Sequence, residues 1–162
     1  MPFIVAVDTN IWVSAFITPH GYPARLKSYW QANRFDVVLS VELLAELAQV
    51  LARSRLRLKY KYSFEEATAY LRSIMQLANI VKVTGALNLC RDPDDNILIE
   101  TAILGQASHV VSRDQDIVRD ASVIQYLETH GIQALTVGRF LVELERYPPI
   151  AGISPRKRVS RI

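Results

Sequence analysis

Cysteine is nearly absent. Cys90 stands alone among 162 residues, which excludes an internal disulfide framework and any zinc site built on several thiolates, and suits a reducing compartment. It reads as a small apolar filler. The three histidines, His20, His109 and His130, show no ligand spacing and are assigned no chemistry. No long apolar run occurs at the N-terminus: Asp8 interrupts the first apolar stretch after a few residues, and no positive region precedes it. Neither a signal peptide nor a membrane span is expected, and a cytoplasmic location follows as the expectation. Internal repeats and low-complexity segments are also missing.

What is present suffices for a core. Half of the residues are hydrophobic and 22% are charged, the balance of one globular domain. Residues 1–147 read as that domain, and residues 148–162, which follow the last helical pattern, read as an extended basic tail. The net charge of +3 is unevenly spread. The tail, with Arg156, Lys157, Arg158 and Arg161, holds four of the 19 basic residues and no acid, leaving 15 against 16 acids before it. A second run, Arg53, Arg55, Arg57, Lys59 and Lys61, holds five more, so ten basic residues face 16 acids in the rest. Basic patches around an acidic centre suit a protein that approaches a polyanion and handles it at a metal-loaded site. Basic runs are also ordinary solvated surface. Tyr60 and Tyr62, interleaved with the lysines, offer faces for stacking single-stranded nucleic acid.

Apolar runs punctuate the chain at Phe3 to Val7, Phe35 to Leu39, Ile80 to Val83, His109 to Val111 and Ala134 to Val137. They are near-continuous rather than alternating, the pattern of strands buried on both faces. Helical patterns lie between them. Ser40 caps one with the stripe Leu43, Leu44, Leu47, Val50 and Leu51; a capping box at Ser63–Glu66 opens another through Leu77; Asn96 to Leu104 is a third, ended near Gly105; and Phe140 begins the last. Strand and helix in alternation imply an α/β fold: a mostly parallel sheet between two helical layers.

Four acids stand where such a fold collects chain ends: Asp8 after the first strand, Asp114 after the fourth, Asp95 in Arg91-Asp92-Pro93-Asp94-Asp95-Asn96, and Glu46 in the Ser40-capped helix. Ligands of open parallel sheets bind beyond the carboxyl ends of the strands, where strand order reverses. Asp8 and Asp114 share that crevice if their strands are neighbours. Asp8 before Thr9-Asn10 equally suits a helix cap, and so does Asp95. Three carboxylates within Asp92 to Asp95 exceed what a cap requires. Glu46 lies about 40° from Val50 at 100° per residue, on the margin of the apolar stripe, while Glu42 is displaced toward solvent. Asp116 and Asp92 are accessory acids, Ser112 suits a hydrogen bond to phosphate, water or carboxylate, and Asn10 suits orienting Asp8 or a water. Oxygen-only ligands favour Mg²⁺ or Mn²⁺. Trp12, Val13, Phe16 and Ile17, with Trp30 nearby, give more apolar surface than one sheet face is expected to bury, which points to a homodimer or a partner segment docked there.

Val7-Asp8-Thr9-Asn10-Ile11-Trp12, Ser40 to Glu46, Arg91 to Asn96 with Glu100-Thr101-Ala102, Val110 to Asp116, and Leu135-Thr136-Val137 with Phe140-Leu141 together resemble the PIN-domain family, and within it the VapC-like toxins of toxin-antitoxin systems. The resemblance runs from residue 3 to about residue 144. It implies a five-stranded parallel sheet in an α/β/α arrangement, an acidic centre on Asp8, Glu46, Asp95 and Asp114, with Asp8, Asp95 and Asp114 as metal ligands, a Mg²⁺- or Mn²⁺-dependent endoribonuclease, and a cognate antitoxin. Arg113, in place of a small residue, and the long stretch Val118 to Thr129 depart from the pattern. A catalytically silent RNA- or antitoxin-binding module on the same fold is the alternative. A haloacid-dehalogenase type phosphatase is disfavoured, because Asn10 stands where its second acid belongs.

Overall fold

The computed structural model describes residues 3–113 and 115–148, with the backbone alone at Gln115 and Asp116. In chain order the elements are β1 (Ile4–Val7), α1 (Thr9–Ile17), α2 (Tyr22–Gln31), β2 (Asp36–Ser40), α3 (Val41–Leu51), α4 (Ser54–Tyr60), α5 (Phe64–Leu77), β3 (Asn79–Val81), α6 (Pro93–Leu104), β4 (His109–Val111), α7 (Gln115–Val118), α8 (Ala121–Thr129), β5 (Gln133–Leu135) and α9 (Val137–Glu145). The five strands form one sheet in the order β3-β2-β1-β4-β5, and every pairing is parallel. Helices cover both faces. Consecutive side chains of a strand point to opposite faces, and Val5, Ala6 and Val7 are all fully buried, as are Val110 and Val111.

This topology places the site. The chain builds β1, β2 and β3 outward on one side, then returns through α6 to lay β4 against the free edge of β1, with Val7 opposite Val111. Strand order therefore reverses between β1 and β4, and a crevice opens beyond their carboxyl ends.

Three expectations shift. The third helix pattern starts earlier than Asn96: Asp92 is the N-cap and Pro93 the first residue of α6, as the missing proline N–H allows. The last helix likewise begins at Val137, because the Thr136 hydroxyl caps it by accepting from Arg139 N–H. The long stretch from Val118 contains the end of α7 and all of α8, capped by Asp120.

The tryptophans of the apolar face expected on α1 and α2 are core. Trp12 and Trp30 are 2% and 4% exposed and meet edge to face with centroids 5.0 Å apart, a geometry worth about 1 kcal/mol beyond burial. Phe16 stacks on Tyr70 at 4.7 Å, and the Tyr70 hydroxyl donates to Trp12 O at 2.7 Å. Helix α5 reaches this face through Tyr70, so of the surface expected to receive a second copy or an antitoxin segment, Trp12, Val13 and Trp30 are buried, while Phe16 and Ile17 are half-buried. Tyr62 is core too, its hydroxyl donating to Leu51 O at 2.7 Å, and it offers no stacking face. The basic tail beyond residue 148, and Asp114, lie outside the described residues.

Candidate active site

Asp8 begins the crevice. Its N–H donates to Val111 O at 3.0 Å, one residue beyond the β1–β4 register. It occupies the N-cap position of α1 with extended backbone, yet its side chain makes no cap hydrogen bond. Asp8 Oδ2 instead accepts from the Ser112 hydroxyl at 2.9 Å. Ser112 is fully buried and its N–H donates to Leu135 O at 3.1 Å, so the group that orients Asp8 is itself anchored to β5. Asn10, expected to orient Asp8 or a water, is exposed.

Glu46 comes from the other side. Ser40 caps α3 by accepting from Leu43 N–H, which seats Leu43, Leu47 and Leu51 in the core and leaves Glu46 half-buried at its margin. Thr9, buried beside Asp8, donates its hydroxyl to Glu46 Oε2 at 3.1 Å. Burial raises the Glu46 pKa above its ordinary 4.5, the Thr9 hydrogen bond opposes this, and the charges of Asp94, Asp8 and Asp92 raise it further. Glu42, expected to face solvent, accepts from Val83 N–H at 3.4 Å.

The third contribution is the first turn of α6. Asp92 accepts from Asp94 N–H at 2.9 Å, and Asp94 and Asp95 follow where the helix dipole favours negative charge. Asp95 is 6% exposed. Further along α6, Asn96 Oδ1 accepts from the N–H groups of Leu89 and Cys90 at 2.9 and 2.7 Å. Glu100 accepts from Thr84 N–H at 2.8 Å, from Gly85 N–H at 3.1 Å and from the Thr84 hydroxyl. Burial alone would raise the Glu100 pKa, but these three donors outweigh it and hold the group below 4.5. Two side chains four residues apart thus pin the segment ahead of Asp92.

The charges of Asp94, Asp8 and Asp92 all act on Glu46; of these, Asp94 was not singled out by the sequence reading. Its signal was there: the density of acids from Asp92 to Asp95. Asp114 and the side chain of Asp116 lie outside the described residues. In the basic run, Arg53, Arg55, Lys59 and Lys61 are exposed and Arg57 is half-buried, all on α4 or its flanks; Lys59 Nζ lies 5.3 Å from the centroid of the partly exposed Tyr60 ring.

These donors suit a hard divalent cation. They are oxygens only, and the carboxylate charges that add to burial in raising the Glu46 pKa are what a bound cation offsets. Among the described residues, no three His, Cys, Asp or Glu side chains are already grouped to hold an ion. Also among them, no helix is long and apolar enough to cross a membrane.

Residues 5–116 match the family model described as PIN domain. The chain is also similar to an uncharacterized protein of Methanocaldococcus jannaschii, MJ1680: 26% identity over 145 residues, covering 88% of this chain and 92% of that protein. A PIN-domain match carries nuclease-type function in general terms, in a family that typically uses divalent metals.

Proposed function

Since the chain belongs to the PIN-domain family, we propose that it is a divalent-metal-dependent endoribonuclease that hydrolyses phosphodiester bonds in RNA, acting in the cytoplasm as the toxin of a toxin-antitoxin pair. The observation that carries this reading is the charge around Glu46: Asp94, Asp8 and Asp92 all act on it at the reversal point between β1 and β4. Asp8 and Asp95, with Asp114, would hold Mg²⁺ or Mn²⁺, and Glu46 would complete the site. When bound, such an ion supplies a more acidic water and neutralises charge on the phosphate.

The protein's own residues do the rest. Ser112 holds Asp8 in one orientation through Oδ2, and Thr9 does the same for Glu46 through Oε2. Glu46 Oε1 takes the proton of the attacking water, a task for which a raised carboxylate pKa is an advantage. Water oxygen then bonds to phosphorus as the bond to the leaving ribose oxygen breaks; that oxygen takes a proton from solvent, and Glu46 releases its own to solvent. The basic residues on and beside α4 neutralise phosphates of the strand.

The test is incubation of purified protein with labelled RNA in Mn²⁺, in Mg²⁺ and in EDTA. Internal cleavage with either metal and none in EDTA supports the reading. RNA that is bound but stays intact favours the silent binding module. The antitoxin half of the reading predicts a short neighbouring gene whose product co-purifies with this chain and stops cleavage.

A further inference from the structure

Beside the acidic crevice lies a cavity of opposite character. It has a volume of about 520 Å³, within the range of small-molecule sites, and is lined by Ser14, Thr18, His20, Tyr22, Arg113 and Thr136 together with the first turn of α9. Among the described residues no aspartate or glutamate lines it. Three aliphatic hydroxyls, an imidazole and a guanidinium therefore share the lining of one space. Arg113 directly follows Ser112, the residue that orients Asp8, so cavity and crevice adjoin at the carboxyl ends of β1, β4 and β5.

Tyr22 supplies the apolar wall. Tyr22 is 57% exposed and its ring lies against α9, where a methyl added at Gly138 would sit 3.5 Å from Cε2. The Arg25 guanidinium is 5.9 Å from the ring centroid and paired with Glu145 at 3.2 Å, which steadies the tyrosine at the mouth. A second cavity of about 530 Å³ shares Tyr22, Thr136 and Gly138 with it and is also lined by Arg139 and by Arg146, which pairs with Glu143.

We propose that this cavity binds one nucleotide of a single-stranded RNA next to the cleaved linkage, with its phosphate on Arg113 and the hydroxyls and its base against Tyr22. Arginine pairs with phosphate through directed charge-assisted hydrogen bonds, N–H groups of a helix start add to them, and stacking on an aromatic ring serves any base. The identity of the natural ligand rests on the nuclease reading; binding in the cavity does not.

The experiment is a titration with adenosine 5′-monophosphate in EDTA, followed by amide NMR, on wild type, Arg113→Gln and Tyr22→Ala, with melting curves to show that the variants fold. Shifts clustered on Thr136 and Gly138 are expected, weakened by about tenfold in each variant and competed by inorganic phosphate. Shifts scattered elsewhere, no binding, or wild-type affinity in Arg113→Gln would overturn the proposal. If Tyr22→Ala melts early, Arg113→Gln decides alone. Arg113-dependent binding in a protein that never cleaves RNA would leave the cavity standing and remove the nuclease. Cleavage of RNA with wild-type nucleotide affinity in Arg113→Gln would do the reverse.

Discussion

Glu46 is held where its charge is unwelcome. Its folded-state pKa lies above 4.5, so the folded protein keeps the proton more tightly than the unfolded chain. The sign follows from linkage: stability falls as pH rises through the folded pKa, and the loss persists at neutral pH. Glu46→Gln in EDTA should therefore melt roughly 2 °C higher than wild type at pH 7, a small gain because solvent screens a half-exposed group, and the difference should vanish near pH 4. An unchanged or lower melting temperature at pH 7 would mean that Glu46 carries no electrostatic penalty. Glu100 has the opposite sign. Its folded pKa lies below 4.5, so its contribution is present above the unfolded value and is lost as pH falls through the folded one. Glu100→Ala leaves the N–H groups of the exposed Thr84 and Gly85 to water, at a cost of about 0.5–1.5 kcal/mol per hydrogen bond lost. Hydrogen exchange at those two amides should accelerate while the strands β1 and β4 stay protected.

The end of α6 divides two duties between neighbouring residues. At Gly105 an added Cβ would come within 2.8 Å of Val38 Cβ and Cγ1, so the glycine is there for close packing on β2, not for its φ of −84°. The left-handed residue is the next one, Gln106, at φ 52°. The N–H of Ala107 returns to Ala102 O at 2.9 Å and that of Gln106 to Ile103 O at 3.1 Å, the paired bonds of a Schellman ending. Gly105→Ala should destabilise the protein by about 1–3 kcal/mol through overpacking, whereas Gln106→Gly should raise stability by up to about 1 kcal/mol by relieving the left-handed conformation. Chemical denaturation of both variants checks the pair. A Gly105→Ala variant as stable as wild type would show that Val38 can move aside. The sequence reading located this helix end at Gly105 but could not separate the two duties, because a glycine near a helix end fits both. At the other end it began the helix at Asn96 rather than Pro93. Adjacent acids on a helix diverge by 100°, so a displaced start leaves the choice between Asp94 and Asp95 open.

For the whole molecule, the sheet was legible because buried parallel strands are written as continuous apolar runs, and β1, β2 and β4 fall within one residue of theirs. The outer strands β3 and β5 are short and partly exposed, and there the runs extended beyond the pairing: Lys82 and Val83 leave the sheet, and Thr136 turns to cap α9. Glu46 was legible from its place on the edge of an apolar stripe. The burial of Trp12 and Trp30 was not, because it depends on α5 packing over α1 through Tyr70, a contact 58 residues distant in sequence that local patterning does not encode.

The most direct test of a metal-dependent acidic centre is the cleavage rate of one labelled RNA by wild type and by Asp8→Asn, side by side in saturating Mn²⁺, with melting curves for both. Asp8 makes no helix-cap hydrogen bond, and an asparagine keeps an oxygen for the Ser112 hydroxyl, so the variant should fold as wild type does. Its cleavage should drop to the level of the EDTA control. A folded Asp8→Asn protein that cleaves at the wild-type rate would contradict the assignment of this crevice as the catalytic site.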